Sequence, residues 1–144
     1  MKKFQFRLEQ VLQQKITIEE RALMEQAKAQ QECLQCEQEL HITQDKLEQT
    51  INYTPDIVRP GEQLQSLLYL EHLKQTLNRQ TKFLQRAQEI LQLRRETVLN
   101  ARRERMVLEK LKENKLQEYK ECQLYLEQKE IDELATIGFN RINY

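Results

Sequence analysis

The chain has little of what compact catalytic domains are built from. Its 144 residues include no tryptophan, two prolines, two glycines and only 6% aromatic side chains. With so few large apolar residues, a chain of this length lacks the volume for a deep core or an enclosed active-site pocket. Few residues that interrupt helices are present, whereas Leu, Gln and Glu, which favour helices, are abundant. We therefore predict an all-α, elongated protein that is not an enzyme.

An excess of charge of either sign is also missing. The 23 acidic residues balance 23 basic ones, so binding to nucleic acid or to an anionic membrane is not expected. The first ten residues, MKKFQFRLEQ, alternate polar and apolar side chains and lack the apolar run of a signal peptide. No segment is apolar and long enough to span a bilayer. The expected location is the cytoplasm.

The chain is poor in residues that bind metals or carry out catalysis. Cys33 and Cys36 form a lone CxxC, which supplies only half of a tetrahedral zinc site, and Cys122 is expected too far away to complete it. We interpret Cys33 and Cys36 as thiols that pack between helices. His41 and His72 can approach each other across the hairpin, but no carboxylate cluster joins them in an enclosed site. We predict no catalytic residue, no metal site and no cofactor.

Apolar residues recur with the alternating three- and four-residue spacing of a heptad seam. In the first half the seam breaks between Ala22 and Cys33, which indicates a stutter. In the second half one frame continues from residue 77 to residue 126. The first-half positions are Leu8, Val11, Lys15, Ile18 and Ala22, then Cys33, Cys36, Leu40, Thr43 and Leu47. The second-half positions are Leu77, Gln80, Leu84, Ala87, Leu91, Arg94, Val98, Ala101, Arg105, Leu108, Lys112, Lys115, Tyr119, Cys122 and Leu126.

Both prolines lie in one short stretch, YTPDIVRPGEQ, at residues 53–63. Proline disfavours helical torsions in the residue before it and suits the first turn of a following helix. We predict helix one at about 3–53, a turn at about 54–61 and helix two at about 62–137. The turn is short enough for the helices to form an antiparallel coiled-coil hairpin, a single domain over residues 1–144. Helix two is longer and is expected to overhang from about residue 113.

One part of helix two is strongly basic, and two explanations are open. A basic strip can bind phosphates by releasing counterions. Alternatively, it pairs with an acidic part of helix one and sets the antiparallel register, which we favour because aromatic stacking platforms are absent. The basic residues are Arg94, Arg95, Arg102, Arg103, Arg105, Lys110, Lys112 and Lys115. The acidic residues are Glu19, Glu20, Glu25, Glu32, Glu37 and Glu39.

The two ends carry a family resemblance. The segments FQFRLEQVL at residues 4–12 and LEQKEIDELA at residues 126–135, with the two arms between them, resemble the flagellar export protein FliJ family. The resemblance implies a cytoplasmic component of the flagellar type III export apparatus, similar to the central stalk of rotary ATPases. It implies three partners: the hexameric export ATPase, the cytoplasmic domain of the export gate, and export chaperones. Its implied location is peripheral, at the cytoplasmic face of the inner membrane, through these partners only.

The resemblance also implies two contact sites. The gate contact of the family, an aromatic residue followed by Leu and a small residue, matches Tyr69, Leu73, Thr76 and, one turn on, Gln80. Leu73 can equally belong to the hairpin seam. For insertion into the ATPase we expect Phe4, Phe6, Leu8, Val11 and Leu12, together with Tyr119, Leu126, Ile131, Asp132 and Leu134. Without the resemblance, the residues favour a structural coiled-coil adaptor or a dimerisation module.

Overall fold

The fold consists of two long helices that pack against each other. The computed structural model describes residues 2–53, 56 and 58–142. Helix α1 spans Glu9–Tyr53 (45 residues) and helix α2 spans Pro60–Ile142 (83 residues). Glu9 pairs with Lys112, whereas Lys15 pairs with Glu104, so the helices run antiparallel. The predicted all-α helical hairpin is confirmed.

Helix α1 begins at Glu9, later than the start predicted near residue 3. Residues 2–6 are not helical, and Phe4 and Phe6 are half-buried while their neighbours Lys3 and Gln5 are exposed. Burial of every second side chain is the pattern of an extended segment lying on a surface. The FQF alternation therefore specifies an extended segment, and the prediction of a helix there was wrong.

The turn predicted at 54–61 is described only in part. Thr54, Pro55 and Ile57 lie outside the described residues, and Val58 and Arg59 are not helical. Helix α2 begins at Pro60, where proline has no amide proton to leave unpaired. The amide of Gln63 donates to the carbonyl of Arg59 at 3.0 Å. At its other end α2 continues to Ile142, past the end predicted near residue 137.

The buried positions on α1 follow the predicted frame from Cys33 to Leu47 but a different frame between Leu8 and Ala22. Leu8, Val11 and Ile18, which the apolar pattern selects for the seam, are exposed. The positions with low exposure instead recur every three and four residues without a break, so the stutter prediction was wrong. A search for apolar residues alone misses this frame because several of its positions are polar. The positions are Leu12, Lys15, Glu19, Ala22, Gln26, Ala29, Cys33, Cys36, Leu40, Thr43, Leu47 and Thr50.

On α2 most of the predicted frame is confirmed. Leu91, Val98 and Ala101 are buried, and most of the other predicted positions up to Tyr119 are half-buried. Cys122 and Leu126 are exposed, so the described seam ends before them.

The hairpin divides into two compact units. The middle unit, residues 20–100, contains an apolar cluster, in which Ala29 and Cys33 of α1 pack with Leu91 of α2, beside Leu84 and Ala87. Small side chains on α1 leave room for the leucines of α2, which is the complementarity that dense packing requires. The predicted placement of Cys33 and Cys36 between the helices is confirmed, since one is buried and the other half-buried. Whether the chain behaves as a single domain stays a prediction.

The terminal unit consists of residues 1–19 and 101–144, and it is rich in ion pairs. Lys15 Nζ lies 2.8 Å from Glu104 Oε2, and Lys112 Nζ lies 2.8 Å from Glu9 Oε2. The carboxylate of Glu19, which is buried, accepts hydrogen bonds from Arg102 and Arg105. In the middle unit Arg94 pairs with Glu25 at 3.3 Å. The predicted pairing between the basic and acidic parts is confirmed for Glu19 and Glu25. The other predicted acidic residues, Glu20, Glu32, Glu37 and Glu39, have no ion pair among the described residues.

Candidate functional site

The N-terminal segment closes over α2 in the terminal unit. The ring of Phe4 lies 5.5 Å from that of Tyr119, centroid to centroid, at a tilt of 50°. The hydroxyl of Tyr119 donates a hydrogen bond to the carbonyl of Lys2. Residues 3–8 and the α2 side chains Leu111, Lys115 and Tyr119 line a shared open groove. We call this arrangement the N-terminal clasp; it joins the beginning of the chain to the last third of α2.

An ion pair anchors the clasp where α1 begins. Lys112 Nζ forms an ion pair with Glu9 Oε2, and Gln13 Nε2 donates a hydrogen bond to Glu9 Oε1 at 3.2 Å. These two donors stabilise the ionised carboxylate, so they lower the pKa of Glu9 below its ordinary value of 4.5. A carboxylate in the first turn also interacts favourably with the helix dipole. The start of α1 is therefore fixed against one position of α2.

The clasp changes where α2 loses its partner. An extended chain advances about 3.3 Å per residue, against about 1.5 Å in a helix, so residues 2–6 reach farther along α2 than a helix would. Lys112, Leu116 and Tyr119 are half-buried. The overhang predicted from about residue 113 therefore begins after Tyr119. The predicted boundary was wrong because the clasp packs against α2 between residues 113 and 119.

Beyond the clasp lies a long exposed stretch of α2, which we call the C-terminal segment, residues 120–142. The side-chain hydrogen bonds described within it run along α2 itself, as from Gln128 to Asp132 Oδ1 at 3.0 Å. Its large apolar side chains are exposed on more than one side of the helix, since Leu126 and Ile131 are five residues apart. They are Leu124, Tyr125, Leu126, Ile131, Leu134, Ile137, Phe139 and Ile142.

The residues predicted to contact the ATPase fall into three groups. Phe4, Phe6 and Tyr119 meet in the clasp and are half-buried. Leu126, Ile131, Asp132 and Leu134 are exposed on the C-terminal segment. Leu8 and Val11 are exposed near the start of α1, while Leu12 is buried between the helices. The structure thus brings the residues of the first group together. Their contact with the ATPase stays a prediction.

The residues predicted to contact the gate are only partly accessible. Tyr69 is exposed and Thr76 is half-buried, but Leu73 is among the most buried side chains of the chain. Its burial favours the explanation that Leu73 belongs to the seam of the middle unit. Gln80 is half-buried, and its Oε1 atom has no hydrogen-bond donor among the described residues. The accessible part of this set is Tyr69 and Thr76.

Two apolar residues that sequence reasoning missed continue the line of Tyr69 and Thr76. Phe83 and Ile90 follow at seven-residue intervals along α2 and are about half exposed. Positions seven apart lie on one side of a helix. The seven-residue spacing of Tyr69, Thr76, Phe83 and Ile90 is the sequence signal that indicates Phe83 and Ile90. The stronger seam pattern on the same helix obscures it.

The described residues hold no cluster of three or more side chains suited to a metal ion. Within the same residues, no helix combines the length and the apolar character needed to cross a membrane.

Comparison with known proteins identifies a family for the chain. The model of the family described as "Flagellar FliJ protein" matches residues 4–143 of the chain. No curated protein and no solved structure gives a significant match.

Proposed function

Because the chain belongs to the flagellar FliJ protein family, with nearly its whole length matched, we propose that it works as a stalk-like, non-catalytic component of flagellar type III export. It inserts into the hexameric export ATPase, promotes assembly and turnover of the hexamer, and links it to the export gate and to substrate chaperones. It resides in the cytoplasm, at the inner face of the membrane, through these partners.

The proposed ATPase contact is supported mainly by the exposed C-terminal segment and the clasp beside it. The segment exposes apolar side chains on several sides of one helix, and an isolated helix of this kind is marginal in water without a partner. A ring that surrounds the helix would cover all of these sides at once. Contacts that differ from one subunit of the ring to the next would favour different conformations of successive subunits.

The clasp gives the segment a fixed base. Phe4 and Tyr119 hold the beginning of the chain against α2, so both ends enter the ring together. The gate contact uses Tyr69 and Thr76, whose side chains are accessible in the middle unit.

Stimulation of hydrolysis by the purified export ATPase tests the ATPase contact. The test variant carries Leu126→Ser, Ile131→Ser and Leu134→Ser. The matched control carries Val107→Ser, an equally exposed apolar residue of α2 outside the segment. We expect the triple variant to need about tenfold or more protein for half-maximal stimulation, since it loses apolar contact area at three positions. Unchanged stimulation would rule out the C-terminal segment as the coupling element.

The same exposed segment favours a second candidate, a dimerisation module or structural adaptor unrelated to export. Two such segments could cover each other's apolar side chains. Sedimentation equilibrium separates the candidates, because a dimer that dissociates in the triple variant would support this second function.

A further inference from the structure

An open groove of about 390 Å³ lies between the two helices of the middle unit, away from the ends of the chain. Cys36, Phe83, Ala87 and Ile90 form its apolar floor. We call it the central groove. Phe83 and Ile90 are about half exposed, although aromatic and branched apolar side chains of this size are usually the first to be covered.

Two carboxylates on the α1 side of the central groove lack an ion-pair partner among the described residues. Glu25, Glu32 and Glu39 follow one another at seven-residue intervals. Glu25 pairs with Arg94, but Glu32 and Glu39 have no ion pair among the described residues. Counting back seven residues along α2 from Arg94 for each step gives Ala87 and Gln80, which cannot neutralise a carboxylate. The antiparallel register itself therefore leaves these two charges unpaired.

The carboxylates of Glu32 and Glu39 make the electrostatic potential in the central groove more negative. Cys36 lies on its floor, and its burial, together with the charges of Glu39, Cys33 and Glu32, raises the pKa of its thiol. The opposite side of the groove carries one cation, Arg86, which likewise has no ion pair among the described residues. The groove thus has two negative charges along one side, one positive charge along the other and an apolar floor between them.

We propose that the central groove binds an amphipathic helix of another protein that carries two basic residues seven positions apart and an acidic residue on its other side. In a helix, seven residues span about 10.5 Å, so the two basic residues match the separation of Glu32 and Glu39. Apolar residues between them rest on Phe83 and Ile90, which is the helix-in-groove mode of recognition. The charge pattern then selects the partner and its direction.

This inference does not depend on the proposed role in export. It uses none of the residues of the C-terminal segment. With the predicted gate contact it shares Gln80, and its floor residues Phe83 and Ile90 continue the line of Tyr69 and Thr76 along α2. The triple variant that tests the ATPase contact leaves the central groove intact, so either idea can fail without the other.

The test uses two synthetic helical peptides of about 21 residues, three heptads long. The first peptide has leucine on one face, two lysines seven positions apart on one side and a glutamate on the other side. The second is identical except that lysine and glutamate are exchanged. Binding of each labelled peptide to the full-length chain is measured by fluorescence anisotropy at low salt, where exposed charges are least screened.

The chain offers a matched charge-reversed variant, Glu32→Lys, Glu39→Lys and Arg86→Glu. We expect the natural chain to bind the first peptide about five- to tenfold more tightly than the second, as two or three partly exposed ion pairs allow. The charge-reversed variant should show the opposite preference. Equal binding of both peptides, or a preference that fails to reverse, would overturn the proposal.

The apolar floor has its own control. Phe83→Ser should weaken the binding of the first peptide about tenfold. Leu93→Ser, at an exposed apolar residue outside the groove, should leave that binding unchanged. Circular dichroism at 222 nm checks that each variant remains folded. The first peptide should also slow alkylation of Cys36 in a Cys122→Ser chain. Binding that is unaffected by Phe83→Ser, or a dimer of the chain that Phe83→Ser dissociates, would contradict the proposed occupant.

Discussion

Replacing Leu91 by alanine tests whether the cluster in the middle unit holds the two helices together. Leu91 is 7% exposed and packs with Ala29 and Cys33 across the seam. Truncation of a buried leucine to alanine costs about 2–5 kcal/mol in free energy of unfolding, and the cost grows with the cavity that remains. In a two-helix seam water can enter from the side, so no dry cavity remains. We therefore expect the lower end, about 2–3 kcal/mol.

Urea unfolding, followed by circular dichroism at 222 nm, measures this change. With a slope of about 2 kcal/mol per molar urea, the midpoint should fall by about 1 M or slightly more. Leu93→Ala is the matched control, because Leu93 is 61% exposed on the same helix and its loss should cost less than about 0.5 kcal/mol. Equal midpoints for the two variants would refute the placement of Leu91 in the seam.

Three further predictions concern other parts of the hairpin. Gln80→Leu should raise the free energy of unfolding by about 1 kcal/mol in the same assay, because it removes a buried acceptor that has no donor among the described residues; a fall would contradict that. Tyr119→Ala should release residues 2–6, seen as lower NMR backbone order parameters there, whereas unchanged values would show that the contacts of Tyr119 with Phe4 and Lys2 are dispensable. The pKa of Glu9 is lowered by Lys112, so its contribution to stability is present above its unfolded pKa and is lost as the pH falls through the folded value. The stability difference between the natural chain and Glu9→Gln should therefore shrink between pH 7 and pH 3, and a difference that grows would be contrary evidence.

The sequence predicts the two helices, the bend and the α2 seam because each depends on local signals. Long runs free of glycine and proline specify the helices, and Pro60 marks the start of α2. The first part of the α1 seam, before Ala22, escapes prediction because Glu19 occupies a buried position. Its carboxylate is tolerated only because Arg102 and Arg105 hydrogen-bond to it, and that pairing is visible only once the helices are in register.

The N-terminal clasp and the central groove depend on contacts that are distant in sequence. Phe4 meets Tyr119 across most of the length of the chain, so no local pattern indicates the contact. The alternation of FQF signals an extended segment, but only contact with α2 makes that conformation favourable. The unpaired state of Glu32 and Glu39 follows from what α2 places opposite them, which requires the exact antiparallel register.

Site-specific photocrosslinking to the export ATPase tests the central claim most directly. Benzoylphenylalanine is placed at Leu134 in the C-terminal segment, or at Leu93 in the middle unit, both of which are exposed. The proposed insertion predicts a crosslink to the hexameric ATPase from position 134 and none from position 93. Crosslinking from position 93 alone, or from neither position while the chain remains bound to the ATPase, would contradict it.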